Sequence, residues 1–189
     1  MTLVKLHVFS SFLQSIGFKS FVQGAIQARI EMQRMENTLI AATGSISKSK
    51  LAYSEVTASA NKYGLDLRAL GGQYARLRIA ADSAGISSES LRTVFDGLTR
   101  ASSVLQLSSA DIGGVLRALE QIISKGKVSS EELRLQLGDR LPGAMIIAAK
   151  AIKEPNESMK EASTRLEQML KAGKLTSDFF IERFGPALK

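Results

Sequence analysis

Glu131 and Glu132 stand side by side in the run Ser-Ser-Glu-Glu-Leu-Arg, and a pair of carboxylates is the equipment of glycoside hydrolysis. Their spacing argues against that use. Neighbours on a helix point about 100° apart and cannot flank one scissile bond, whereas acidic residues in a first helical turn are what the helix dipole favours. The single histidine, His7, has no cysteine anywhere in the chain and no nearby carboxylate to join it as metal ligand or general base. The pairs Gly71-Gly72 and Gly113-Gly114 precede no Lys-Ser or Lys-Thr, so they do not form a phosphate-cradling loop. They lie inside helical patterns, where glycine permits close helix approach. The expectation is a protein that is not an enzyme, with no metal and no cofactor. Lys125 and Lys127, flanking Gly126 on an exposed turn, are better candidates for contacting a partner than the glutamates are for chemistry, with simple solvation as the plainer reading.

The element that must position these residues runs from Ser124 to Ala144. Ser129 is placed to accept from the backbone N–H of Glu132 while the Glu132 carboxylate reaches back to Ser129, a capping box. Val128 before the cap and Leu133 inside the helix can close over it as a hydrophobic staple. Pro142-Gly143 stops the helix, because proline has no N–H to donate and displaces Leu141 from the helical region.

The run Ser-Lys-Gly-Lys-Val-Ser-x-Glu-Glu-Leu-Arg-x-Gln-Leu-Gly-x-Arg-Leu-Pro-Gly-Ala, residues 124–144, resembles the signature of the N-terminal domain of phage tail tape measure proteins. The flank from Leu116 to Gln121, the stretch Leu166 to Leu175 and Asp178-Phe179-Phe180 extend the match, and fainter similarity reaches back to about Phe18. The motif residues that the resemblance marks for partner contact are Lys125, Gly126, Lys127, Glu131, Glu132, Arg134, Gln136, Arg140 and Pro142.

Composition bounds the rest. The chain has 189 residues, enough for one domain or two small ones with a sizeable core. A low aromatic share of 6%, no tryptophan and abundant alanine and leucine lean towards helices packed through aliphatic side chains. The formal charge is +7, but the cations are scattered and form no dense run. Solvated helix faces account for that pattern better than a phosphate-tracking stripe, with attraction to an acidic protein surface as the milder functional version. No window approaches the ~20 apolar residues that span a bilayer. The apolar start is interrupted by Ser10, Ser11, Gln14 and Ser15 and lacks a small-x-small cleavage site, so a product of the host cytoplasm is expected.

In chain order, residues 1–16 are an N-terminal arm whose alternation suits a short strand or a helical turn, and residues 17–189 form one helical domain. Phe18 to Thr43 carries apolar residues at three- and four-residue intervals, an amphipathic helix ended by Gly44. A second helix covers Ile46 to Tyr63 and stops at Gly64. Then Leu65, Ile86, Leu107 and Val128 recur every 21 residues, each followed by a preferred N-cap: Asp66, Ser87, Ser108 and Ser129. Leu70, Leu91, Ile112 and Leu133 lie five positions on, and Tyr74, Phe95, Leu116 and Leu137 four beyond those. Leu77, Leu98 and Leu119 follow, with Arg140 beside Leu141 out of pattern. The stretch therefore predicts four consecutive back-folding helices of nearly equal length. An ancestral repeat and equal lengths set by a common core layer both produce such a period; identities outside the cap and apolar face are few. A further helix over 144–153 exposes a face of Met145, Ile146, Ala149 and Ile152 to the core. Glu154-Pro155-Asn156 breaks the chain, a helix lined by Met159, Leu166, Met169 and Leu170 follows, and a last capped helix after Leu175 is closed by Gly185-Pro186. The fold class is all-α, a compact multi-helix bundle or stacked helical hairpins of about seven to eight helices.

The resemblance implies a structural protein of a phage or prophage tail, the docking or organising domain of a tape measure protein in tail assembly and length determination. Its implied partners are tail tube, tail tip or tail assembly chaperone proteins and further copies of itself, with DNA involved only indirectly and no membrane. It implies assembly in the host cytoplasm and residence in the virion tail. One unbroken helix of this length would span only ~280 Å at ~1.5 Å per residue, and glycines interrupt it, so the chain is expected to be an excised domain or a truncated gene rather than an extended ruler. The competing reading is a nucleic-acid-binding helical domain that uses Ser129 to Leu141 as its reader.

Overall fold

A computed structural model describes the backbone of residues 3–188 and the side chains of residue 20 and residues 22–188. The fold is all-α: eight α-helices and one π-helical segment, with no strand among the described residues. Helix α1 spans Leu3–Thr43, α2 Ile46–Tyr63, α3 Leu67–Ser83, α4 Ser88–Val104 and α5 Ser109–Ser124. The π-helical segment Glu131–Leu137 follows, then α6 (Ala144–Ile152), α7 (Met159–Lys171) and α8 (Ser177–Ala187). The arm over residues 3–16, left between strand and helical turn by the sequence, is helical and continuous with α1. His7 lies outside the described side chains.

The 21-residue period is a record of burial. Leu70, Leu91, Ile112 and Leu133 are all buried, as are Tyr74, Phe95, Leu116 and Leu137, and Leu77, Leu98, Leu119 and Leu141. Leu141 thus occupies the place that Arg140 interrupts in the sequence pattern. Each of these side chains removes about 1.5–3 kcal/mol worth of apolar surface from water, so the repeating positions form the core through which α3, α4, α5 and the π-helical segment are joined. The caps do their part at the first three starts. Asp66 accepts from the N–H of Arg68, Ser87 from Ser90 and Ser108 from Asp111.

The connectors are short because each uses one left-handed residue. Gly64, Gly85 and Gly126 have φ near +70°, and Gln106 takes the same role at φ 52. The chain therefore folds back at each turn, α3 packs against α5, and α4 reaches across to α8. Glycines set how close the helices come. A Cβ on Gly71 would lie 1.8 Å from Met35 Sδ on α1, and one on Gly185 would lie 2.8 Å from the backbone nitrogen of Val94 on α4.

Four expectations are corrected. The helix predicted from Ser129 to Leu141 is only the seven-residue π-helical segment, in which Gly138 N–H bonds back five residues to Leu133 O at 3.0 Å. The wide coil fits because Gly138 has no Cβ, which would sit 2.2 Å from the carbonyl oxygen of Arg134. Gly185-Pro186 does not close the last helix, which runs on to Ala187 with Pro186 in its final turn; proline's fixed φ is compatible with the helix, and its missing N–H forfeits a single i→i−4 bond. Ile146 and Met159, assigned to buried faces, are exposed. Likewise Ile26, Ile30 and Met32 of α1 and Leu51 of α2, apolar positions of the first two helices, face outward, so among the described side chains of α1 burial is concentrated at Met35 and Leu39.

Candidate functional site

The family-like run after α5 is built on two matching connectors. Gly126-Lys127-Val128-Ser129 and Gly173-Lys174-Leu175-Thr176 share a pattern of glycine, lysine, aliphatic residue and hydroxyl residue. Both glycines are left-handed, at φ 71 and φ 61, which a residue with a Cβ adopts only at a cost. The two stretches pair antiparallel. Val128 N–H donates to Leu175 O at 2.8 Å and Ser177 N–H to Gly126 O at 3.1 Å, while Lys127 lies opposite Thr176. Val128 and Leu175 are both fully buried, so the pairing drives two aliphatic side chains into the core and leaves Lys127 and Lys174 exposed.

The expected capping box at Ser129 is absent. No side chain caps the π-helical segment; instead the Ser129 hydroxyl donates to one oxygen of the Glu132 carboxylate and Lys125 Nζ to the other. The cause is the position of Glu132, whose side chain is wholly buried while Lys125 is half exposed. Burial pushes the Glu132 carboxyl up, but the ammonium of Lys125 and the hydroxyl of Ser129 outweigh it and hold the group below its ordinary value. Bonding to Glu132 correspondingly raises Lys125. A full capping box forms elsewhere, at Ser158 and Glu161 before α7. The Ser-x-x-Glu spacing there is the same as at Ser129 to Glu132.

The remaining motif residues divide by what they touch. Arg134 reaches Glu167 of α7 at 3.0 Å. Arg140 donates to the carbonyl of Gln136 at 2.8 Å and lies across Gly114, where a Cβ would come 2.2 Å from its Nε. Glu131 and Pro142 are exposed, Gln136 half-buried. Glu131 and Glu132 do not face one cleft: one is in solvent and the other is buried and neutralised by Lys125. The structure therefore brings together Lys125, Gly126, Lys127 and Glu132 at the connector pair, and sends Arg134 and Arg140 to two other neighbours.

The second half of the fold has its own clamp. Arg165 donates to Glu157 at 2.7 Å and to the carbonyl of Ile152, holding the Glu154-Pro155-Asn156 break against α7. The guanidinium pulls the Glu157 carboxyl down to about 2, helped by the N–H of Glu154.

Residues 23–188 match the tape measure protein family, nearly the whole of the described fold. The chain belongs to that family. It is also similar to the probable tape measure protein of Salmonella phage Felix O1 (isolate Felix O1-VT1), 47% identical over 66 residues. That stretch is 34% of this chain and 8% of the phage protein, so the chain spans a small part of the relative's length. No solved structure matches it at a significant level. As a member of the family this is a structural protein of phage tails. No helix among the described residues is long and apolar enough to cross a membrane, and no group of three or more His, Cys, Asp or Glu side chains converges there as a metal site would require.

Proposed function

We propose that this tape measure domain is a docking module that anchors or organises the ruler portion of a tape measure protein during tail assembly, and so takes part in setting tail length. The observation that carries the reading is the coincidence of the family match, residues 23–188, with one continuous core running from Met35 to Phe184. Helices that fold back at Gly64, Gly85 and Gly126 form a compact body, not an extended measure. The domain meets tail tube, tail tip or tail assembly chaperone proteins, or further copies of itself, in the host cytoplasm, and it stays in the finished tail. DNA is a neighbour only indirectly.

The nucleic-acid reading loses its main element, since the reader it needs is a seven-residue π-helical segment whose Leu133 and Leu137 are buried. Co-purification of the chain with the tail proteins of the same phage tests the proposal. Retention of at least one tail protein at moderate salt is expected. Retention of none, with DNA bound in a steeply salt-dependent manner instead, would favour the nucleic-acid reading.

A further inference from the structure

Helices α3 and α5 pack against each other and together line a cleft of about 550 Å³, whose lining includes the small residues Ala69, Gly72, Ala110, Gly113 and Gly114. Four guanidinium groups line it, those of Arg68, Arg76, Arg117 and Arg140, and no carboxylate does. Arg68 is answered by Asp66 at 3.2 Å and Glu31 at 3.6 Å. The nearby Asp111 turns to Ser108 instead, at 2.6 Å. Arg76 and Arg117 are exposed and have no hydrogen-bond or ion-pair partner among the described residues. Arg140 enters the cleft only because Gly114 leaves room for its side chain.

Converging like charges repel until an anion lies between them, and guanidinium forks match carboxylates in paired hydrogen bonds. The geometry points to this cleft as the docking site for an acidic peptide segment of a tail protein, a proposal that rests on the docking reading and names the chemistry of its partner. The cleft holds a few side chains, and its small lining residues let a peptide backbone come close. No aromatic residue lines it, so it offers no platform on which nucleic-acid bases stack. A second copy of this chain, with its net charge of +7, is a poor complement.

The test uses the full chain and a fluorescent hexaglutamate peptide, with hexaglutamine and a six-nucleotide DNA as comparison probes. Hexaglutamate should bind, and Arg76→Gln/Arg117→Gln should weaken it about tenfold, the effect of ~1.4 kcal/mol. Lys160→Gln/Lys171→Gln, which removes the same charge from exposed positions elsewhere, should leave it unchanged. Equal losses in the two double variants would reduce the effect to net charge and overturn the proposal. So would tighter, cleft-dependent binding of the DNA, or no binding of hexaglutamate at all. In the unmodified chain, the amide resonances of Gly72, Gly113 and Gly114 should shift on adding hexaglutamate; shifts centred on another face overturn the proposal without recourse to a variant. Tail-protein retention unaffected by Arg76→Gln/Arg117→Gln would refute the cleft while leaving the docking reading standing.

Discussion

Val128 donates its backbone N–H to the carbonyl oxygen of Leu175 at 2.8 Å, tying the connector after α5 to the connector before α8 across 47 residues of chain. The two connectors carry the same four-residue pattern, and each begins at a left-handed glycine. Polar motif residues around it are thereby fixed in direction: Lys127 outward, Glu132 inward beneath Lys125.

Substituting either glycine tests that relationship. Gly126→Ala and Gly173→Ala should each destabilise the fold by about 1–2 kcal/mol, because a Cβ is strained in the left-handed region. Both positions have open space around the missing Cβ, so the loss is conformational rather than a clash. Urea denaturation of the single variants measures it.

Close helix approach predicts an unequal pair. At Gly185 the atoms in the way are backbone atoms of Thr93 and Val94, which cannot swing aside, whereas at Gly71 they belong to the Met35 side chain. Gly185→Ala should therefore cost about 1–3 kcal/mol, the range for overpacking, and Gly71→Ala less. Adding Met35→Ala should relieve the second clash but not the first, which a double-mutant cycle would show as coupling.

The ion pair at Glu132 predicts a pH dependence of known sign. Its carboxyl is held below the ordinary value in the folded chain, so it contributes stability above about pH 4.3, the ordinary value for glutamate, and the contribution disappears as pH falls through the lowered value. Glu157, drawn down to about 2 by Arg165, acts in the same direction over pH 4 to 2. Glu132→Gln should lower stability at pH 7 by about 1 kcal/mol, since Lys125 can return to water, and should flatten the decline below pH 4.3. Thermal melts from pH 7 to 3 report both effects.

The capping box before α7 predicts a local contrast. Ser158 accepts from Glu161 N–H at 3.3 Å and gives its own N–H to the Glu161 carboxylate at 2.7 Å. Ser158→Ala should cost about 1 kcal/mol. Ser163, an exposed mid-helix serine whose hydroxyl only bonds back to Met159 O, should be replaceable by alanine at no cost or a slight gain.

The contrast between Ser158 and Ser129 shows what was legible in the sequence. Both begin a Ser-x-x-Glu, and local spacing does not tell which glutamate reaches its cap and which is drawn to a lysine upstream. Burial of Leu70, Leu91, Ile112 and their successors was readable, because a helix has one inward face and the apolar residues mark it. The ends of α1 and α2 were readable because Gly44 and Gly64 accept positive φ. Long-range pairing was not: Met35 over Gly71, Arg140 over Gly114 and Val128 beside Leu175 depend on which helices meet. The shared pattern at Gly126 and Gly173 was the one available hint of the last. The arginine cleft was hidden for the same reason, since Arg76 and Arg117 look like scattered surface cations until α3 and α5 are placed side by side.

A domain that docks and organises has a different effect on tails, when removed, from a segment that measures. The length distribution of tails, seen by electron microscopy, from a phage whose tape measure protein lacks the region matching residues 23–188 tests this most directly. Few tails are expected, with those that form not shortened in proportion to the deletion. Normal numbers of tails, shortened in proportion to the residues removed, would contradict the docking reading.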